Sequence, residues 1–291
     1  MVNAPKGIRP LWRIPGIVWR ERTHPPGRVR VPEPMVMDDP ESVAHFHEGG
    51  LLNPGMQAVY DFGARALDAL LPPNGRLLDL GVGSGRALSA IVRRRPDLTV
   101  TAVDLAPNML DTASQLFREQ GLDTQIELVN ADLTALPDQL AGGGWEAVSC
   151  MWTLHQLPEI DDLRAALHQI AAVRQKNHAA VWISDFQRLR DPSATEAMLE
   201  CVDPSSPMIL RKDAMASEAA AFTTEELASE LAAAGLDDMH RGHARPMPYL
   251  HAFWSHGATT ARKSITNRSH LRGTARREAA LLSLGFSAKP F

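Results

Sequence analysis

Three glycines in alternating positions, Gly81, Gly83 and Gly85, stand in the run Leu78-Asp79-Leu80-Gly81-Val82-Gly83-Ser84-Gly85-Arg86. The run lies where an apolar strand ends and a helix begins. Glycines at such a place adopt positive φ and let a ligand approach the backbone closely. The helix start adds free N–H groups and a partial positive charge. The spacing differs from the G-x-G-x-x-G of dinucleotide sites. Three carboxylates accompany the loop. Asp104 ends the next apolar run, Ala102-Val103-Asp104-Leu105, where it could accept two hydrogen bonds from a ribose diol and would repel a 2′-phosphate. Asp132, in Asn130-Ala131-Asp132-Leu133, could take an adenine amino group, and Asp79, beneath the loop, could attract an ammonium. The set suits a nucleoside with a cationic amino-acid tail rather than a pyrophosphate. Each aspartate alone reads equally well as a helix cap or turn residue. Three of them at successive strand ends do not.

The elements that must position these groups alternate between short apolar runs and helical segments. Strands are predicted at Leu77–Leu80, Leu98–Val103, Ile126–Val129, Trp145–Met151 and Ala179–Ser184, with helices at Ala87–Arg95, Pro107–Gln120 and Asp161–Arg174. This order implies parallel strands with helices on both faces. Upstream, 39–71 reads as helical, with Val59, Tyr60, Phe62, Ala66, Leu67 and Leu70 near one face. Residues 1–38 are proline-rich, yet Trp12, Ile14, Ile17, Val18 and Trp19 are too apolar for a tail in water, so this arm is expected to dock on the body or on a second subunit. Residues 186–221 interrupt the rhythm. A helix over 223–235 follows, opened by Thr223 with Glu226 three residues on, and then strands near 238–243 and 249–254. From 257 the tail is basic. The division is therefore an N-terminal arm and lid over 1–71, a core over 72–256 with a substrate-side insertion at 186–221, and a basic tail over 257–291.

Composition narrows the class. Of 291 residues 44% are apolar, enough for a sizeable core. Lys+Arg 30 against Asp+Glu 34 gives a net charge of −4, so nucleic acid is not an expected partner on bulk charge. Two cysteines make no disulfide framework and suit a reducing compartment. With no run of about 18 apolar residues and no apolar leader, a cytoplasmic protein is expected, without a membrane span or a secretory signal.

From Tyr60 to Trp254 the chain resembles the class I S-adenosylmethionine-dependent methyltransferases. The glycine motif, the acid after strand two, the Ala-Asp after strand three and the strand-four segment Val148-Ser149-Cys150-Met151-Trp152-Thr153-Leu154-His155-Gln156-Leu157 carry the resemblance. It implies an α/β, Rossmann-like, seven-stranded sheet, mostly parallel with an antiparallel last strand, 249–254 entering beside strand six. It also implies S-adenosyl-L-methionine as cofactor. Gly81, Gly83 and Gly85 would line its methionine part, with Met151 offering backbone near the ammonium. Asp104 would hold the ribose, Leu105 and Met109 would flank the adenine, and Asp132 with Leu133 would meet its edge. Tyr60 and Arg65 would give a hydroxyl and a carboxylate contact. Five residues apart on a helix, they point about 140° away from each other, so core packing for Tyr60 and a surface place for Arg65 stay open.

For the chemistry, the resemblance implies in-line methyl transfer to a small metabolite. His155, after strand four, is the candidate base, or else only shapes the pocket. Asp185, at the end of strand five, orients the acceptor or caps a turn. Trp152 offers an aromatic wall, and His45, Phe46 and His47 belong to a lid with Met37, Asp38 and Asp39. No metal is expected, since His45 and His47 lack an evident third ligand. No His–carboxylate dyad is visible in the sequence, which favours nitrogen or sulfur over oxygen as acceptor. Ser149-Cys150-Met151-Trp152 stands where enzymes acting on base nitrogens carry an Asn/Asp/Ser-Pro-Pro-aromatic motif. Two alternatives remain: a non-catalytic or macromolecule-directed member whose arm and tail bind RNA, protein or a second copy in a homodimer, and a nicotinamide-dependent oxidoreductase.

Overall fold

The computed structural model describes residues 10–33, 39–203, 206–258 and 270–291. Five strands, β1 (Arg76–Leu80), β2 (Thr99–Asp104), β3 (Ile126–Asn130), β4 (Ala147–Met151) and β5 (Ala180–Phe186), run parallel. β6 (His240–His243) and β7 (Leu250–Ser255) complete a seven-stranded sheet of order β3-β2-β1-β4-β5-β7-β6. β7 is antiparallel to both neighbours, pairing Asp185 with His251 and Gly242 with Ala252. The expected insertion of the seventh strand beside the sixth is what the sheet shows. Alternation along β1 separates two cores. Leu77 faces one with Leu67, Leu88 and Phe117, and Leu78 and Leu80 face the other with Leu163, Leu167 and Ile170. The strand order reverses between β1 and β4, the switch point at which open α/β sheets leave a crevice at their carboxyl ends.

The helical region over 39–71 is two helices. Asn53 ends α2 (Pro40–Leu52) and caps α3 (Pro54–Leu70), accepting from the N–H groups of Gly55 at 2.8 Å and Met56 at 3.2 Å, with Pro54 in the first turn. The core helices are α4 (Arg86–Arg94), α5 (Pro107–Gln120), the short α6 (Asp138–Ala141) and α7 (Ile160–Asn177). The 186–221 interruption forms α8 (Ala194–Val202) and α9 (Met208–Ala220). α10 (Thr224–Ala233) begins with the expected box of Thr223 and Glu226.

The arm docks on the body. Ile17 and Val18 of α1 (Ile14–Thr23) pack with Leu189, Ala194, Cys201 and Met247. The Glu21 carboxylate accepts from the N–H groups of Arg190 and Asp191, both at 2.9 Å. The chain then runs as an extended strap, joined by the Val31 N–H to the Ala219 carbonyl at 3.0 Å.

The C-terminal segment, expected as a basic tail, is a packed element in part. Its described part, 270–291, contains α11 (Gly273–Gly285), packed on α3. Phe286 and Phe291 lie 4.5 and 5.3 Å from the Phe62 ring, closing the core behind that helix. Arg262, Lys263 and Arg268 lie outside the described residues.

Candidate functional site

A cavity of about 430 Å³ opens at the carboxyl ends of the parallel strands, under α2 and against α8 and α9. Its floor is the glycine loop. Gly81 and Val82 donate to the Val103 carbonyl at 2.8 and 3.0 Å, tying the loop to the end of β2. Gly81 holds φ +78°, and a Cβ there would strike Thr153. Gly83 holds φ +53°, and its added Cβ would meet only Phe46, at 3.9 Å, so any side chain at this position would occupy the cradle itself. Ser84 is 1% exposed, lines the cavity, and its Oγ has no hydrogen-bond partner among the described residues. Gly85 is a correction. Its Cβ would meet the Phe117 ring at 2.7 Å, so this glycine permits α5 to pack on α4 rather than lining a ligand.

The three carboxylates converge as the sequence implied. Asp104 sits beside the loop, accepting from the N–H of Gly83 at 2.7 Å and of Ala106 at 3.0 Å. Asn130 fixes the turn after it by donating to the carbonyls of Asp104 and Leu105, both at 3.0 Å. Asp132 Oδ1 accepts from the N–H and hydroxyl of Thr134, which orients the carboxylate at the cavity wall. Asp79 is buried beneath the loop. Burial pushes its carboxyl up to about 6, against the hydrogen bond from Ser149 Oγ and with the help of the Asp104 charge. Leu105, Met109, Leu133, Met151 and Tyr60 also line this half. Val43 and Phe46 of α2 pack on Ala106 and Met109, roofing the loop. The glycine cradle, the orphaned Ser84 hydroxyl and the acids at both ends fit an aminoacyl nucleoside.

Arg65 does not face the cavity. It donates to Ser283 Oγ at 2.6 Å and lies 4.1 Å over the Phe291 ring, on the side of α3 that α11 covers. The helical angle between positions 60 and 65 forces the two apart. Arg86, missed in the sequence, takes the cationic place in the wall. It donates to the His47 carbonyl at 3.3 Å and meets His47 Nε2 at 2.6 Å. A signal was present: a cation in the first helical turn opposes the helix dipole, which suits a site that takes up an anionic group. His47 anchors this arginine and does not line the cavity. Burial and then the Arg86 charge hold its ring below the usual range. The side chain of His45, and residues Met37 and Asp38, lie outside the described residues.

At the far end, β4 and β5 bring His155 and Asp185 together. His155 Nδ1 lies 2.6 Å from Asp185 Oδ1, and the His155 N–H donates to Asp185 Oδ2 at 2.9 Å. The Phe186 N–H donates to Asp185 Oδ1 at 2.7 Å. His155 is 3% exposed and lines the cavity, while Asp185 stands behind it. Burial disfavours the imidazolium, but the Asp185 carboxylate, with Glu33 and Asp213 beyond, outweighs it and holds His155 above its usual value. The same coupling holds Asp185 low against burial. Trp152, at φ +57°, turns the chain after β4 and packs edge-on to Phe186 at 5.1 Å. The strap carrying Glu33 is the second contribution missed in the sequence. Arg30 on it donates to the carbonyls of His155 and Pro158, both at 2.8 Å, clamping the post-β4 loop. No group of three or more metal-binding side chains occurs among the described residues, nor a helix long and apolar enough to cross a membrane.

Residues 77–177 match the family model described as a methyltransferase domain. The chain is 33% identical over 120 residues to the malonyl-[acyl-carrier protein] O-methyltransferase of Laribacter hongkongensis, a match covering 40% of this chain and 40% of that one. It is 30% identical over 99 residues to the ubiquinone/menaquinone biosynthesis C-methyltransferase UbiE of Desulfotalea psychrophila, covering 34% of this chain and 38% of that one. The chain thus spans two fifths or less of the length of these curated relatives. In fold it is similar to a putative S-adenosyl-L-methionine-dependent methyltransferase from Methanococcus maripaludis, with TM-score 0.53, 14% identity, and coverage of 83% of this chain and 100% of that one.

Proposed function

We propose that this chain, which contains a class I S-adenosylmethionine-dependent methyltransferase domain, methylates a hydroxyl oxygen of a small, largely apolar molecule, with His155 as general base. The carrying observation is the 2.6 Å contact of His155 Nδ1 with Asp185 at the wall of the cavity that also holds the glycine loop. The expectation of a nitrogen or sulfur acceptor rested on the absence of such a dyad, and the fold supplies one. The antiparallel β7 and the matched domain count against the nicotinamide alternative.

When bound, S-adenosylmethionine supplies an activated methyl carbon. The chain's own residues do the rest. Asp104 and Asp132 hold the nucleoside, Asp79 the ammonium, and Arg86 the carboxylate. Leu189, Met198, Leu199 and Leu210 give the acceptor an apolar wall that excludes water. Asp185 orients the imidazole so that Nε2 takes up the hydroxyl proton as the oxygen attacks. The buried thiols Cys150 and Cys201 support a reducing, cytoplasmic setting.

Transfer of labelled methyl to a panel of phenols, alcohols and amines tests the reading. Label on oxygen, lost in His155→Ala, is the expected result. Label only on nitrogen or carbon, with His155→Ala unimpaired, overturns it.

A further inference from the structure

The acceptor end of the cavity carries charge that the methyl-transfer reading does not use. Glu33 comes from the strap and Asp213 from α9, and the charges of both act on His155. Glu33 Oε2 stands 3.9 Å from His155 Nε2, with 17% of its side chain exposed, and its oxygens lie 3.3 and 3.4 Å from Ser217 Oγ. Asp213 lines the cavity. Burial holds both carboxyls above their usual values; the His155 charge pulls each down, while Asp213 adds to the rise at Glu33. The neighbouring arginines are committed elsewhere. Arg28 pairs with Glu218 at 2.7 Å, Arg188 with Glu226 at 2.6 Å, and Arg30 spends its guanidinium on backbone carbonyls. Among the described residues neither Glu33 nor Asp213 has an ion pair with lysine or arginine. His155 itself is 97% removed from solvent and lines the cavity with Asp213, and its Nε2 has no hydrogen-bond partner among the described residues. Around His155 stand three carboxylates; Asp185 also meets the Arg30 charge, whereas Glu33 and Asp213 meet no cation but the imidazole. A desolvated excess of this kind is costly unless a ligand balances it.

Resting on the hydroxyl-acceptor reading above, we propose that the acceptor carries a cationic nitrogen near the methylated hydroxyl, and that Glu33 and Asp213 select it. An ammonium between the two carboxylates would form charge-assisted hydrogen bonds and direct its hydroxyl neighbour to Nε2, while the apolar wall covers the rest of the molecule. The preferred substrates are thus amino-phenols or amino-alcohols with an apolar body. An anionic acceptor is repelled at the same place.

Binding to the full chain saturated with S-adenosylhomocysteine tests this, using three matched phenols: 3-(aminomethyl)phenol, 3-(hydroxymethyl)phenol and 3-hydroxybenzoate. The amine is expected to bind about tenfold or more tightly than the neutral phenol, with the benzoate weakest. That preference collapses in Glu33→Gln/Asp213→Asn, and already shrinks in Glu33→Gln alone, which serves if the double variant does not fold. Equal binding of amine and neutral phenol, no amine binding at millimolar concentration, or a preference that survives Glu33→Gln overturns the proposal. His155→Ala separates the two readings: it keeps the amine preference while transfer to oxygen is lost. Equal binding with a His155-dependent reaction sinks the charge selection alone, and His155-independent transfer sinks the base role alone.

Discussion

The two halves of the cavity are assembled in different ways. In the cofactor half, each polar group stands at or just past the carboxyl end of its own parallel strand: Asp79 on β1, Asp104 on β2 and Asp132 after β3. Loop amides and hydroxyls beside them in sequence or register hold these carboxylates in place. In the acceptor half, the His155 base and the carboxylates that act on it come from positions 33, 155, 185 and 213, each on a different segment. Arg30 on the strap and Asp185 on β5 both hold the loop that carries His155. The difference is one of tolerance. A cofactor of fixed shape is met by strand ends whose spacing the sheet sets, whereas an acceptor is met, apart from Asp185 on β5, by segments outside the sheet that can change independently.

A second contrast lies within the acceptor half. His155 and His251 are both buried beside Asp185. His155 bonds to that carboxylate and is held above its usual value. His251 bonds through Nδ1 to Thr224 Oγ at 3.0 Å, and burial, helped by His243, brings it down to about 4 despite the Asp185 charge. Burial acts alike on both rings. A direct hydrogen bond to the carboxylate decides which can carry a proton near neutrality.

The sharpest break between the halves comes from removing the base. His155→Ala is expected to slow turnover by about 10²-fold or more while leaving cofactor affinity unchanged. Paired rate and calorimetric measurements decide it. The pH profile carries the same information. His155 works as a base when neutral, and its raised pKa places the rising limb above its ordinary value of 6.5. Asp185→Asn removes the strongest influence opposing burial, so the limb moves to lower pH as the maximal rate falls. A limb that stays in place in Asp185→Asn counts against the dyad.

In the cofactor half, Asp79 should show a trade-off. Its carboxyl, near 6 when folded against an ordinary 3.8, binds its proton more tightly in the folded state. Stability is therefore lost as pH rises through about 6, and Asp79→Asn should gain up to about 2–3 kcal/mol at pH 8. Cofactor affinity should move oppositely: in the wild type it falls as pH drops through 6, and in the variant it is weak and flat. Thermal melts and titrations at pH 5 and 8 check both signs. Asp104→Ala should weaken cofactor binding by about 1–3 kcal/mol with no change in acceptor preference. The smallest effect is expected at Arg65→Ala, about 0.5–1 kcal/mol of stability from the lost Phe291 contact, with unchanged cofactor affinity. Arg86→Ala should weaken that affinity, so a reversed result would restore Arg65 to the site.

Periodicity and turn chemistry made β1–β5, α5 and the Thr223–Glu226 cap of α10 legible, because they depend on neighbours a few residues away. The glycine run and the three aspartates were legible for the same reason: a loop between a strand and its helix fixes their direction. The pairing of His155 with Asp185, the arrival of Glu33 and Asp213, the exchange of Arg65 for Arg86 and the burial of 270–291 against α3 were decided only by tertiary structure. Each rests on contacts between residues far apart in the chain, 30 positions for His155 and Asp185 and 218 for Arg65 and Ser283, and no local spacing encodes which side chains meet when a sheet closes and an arm folds back across it.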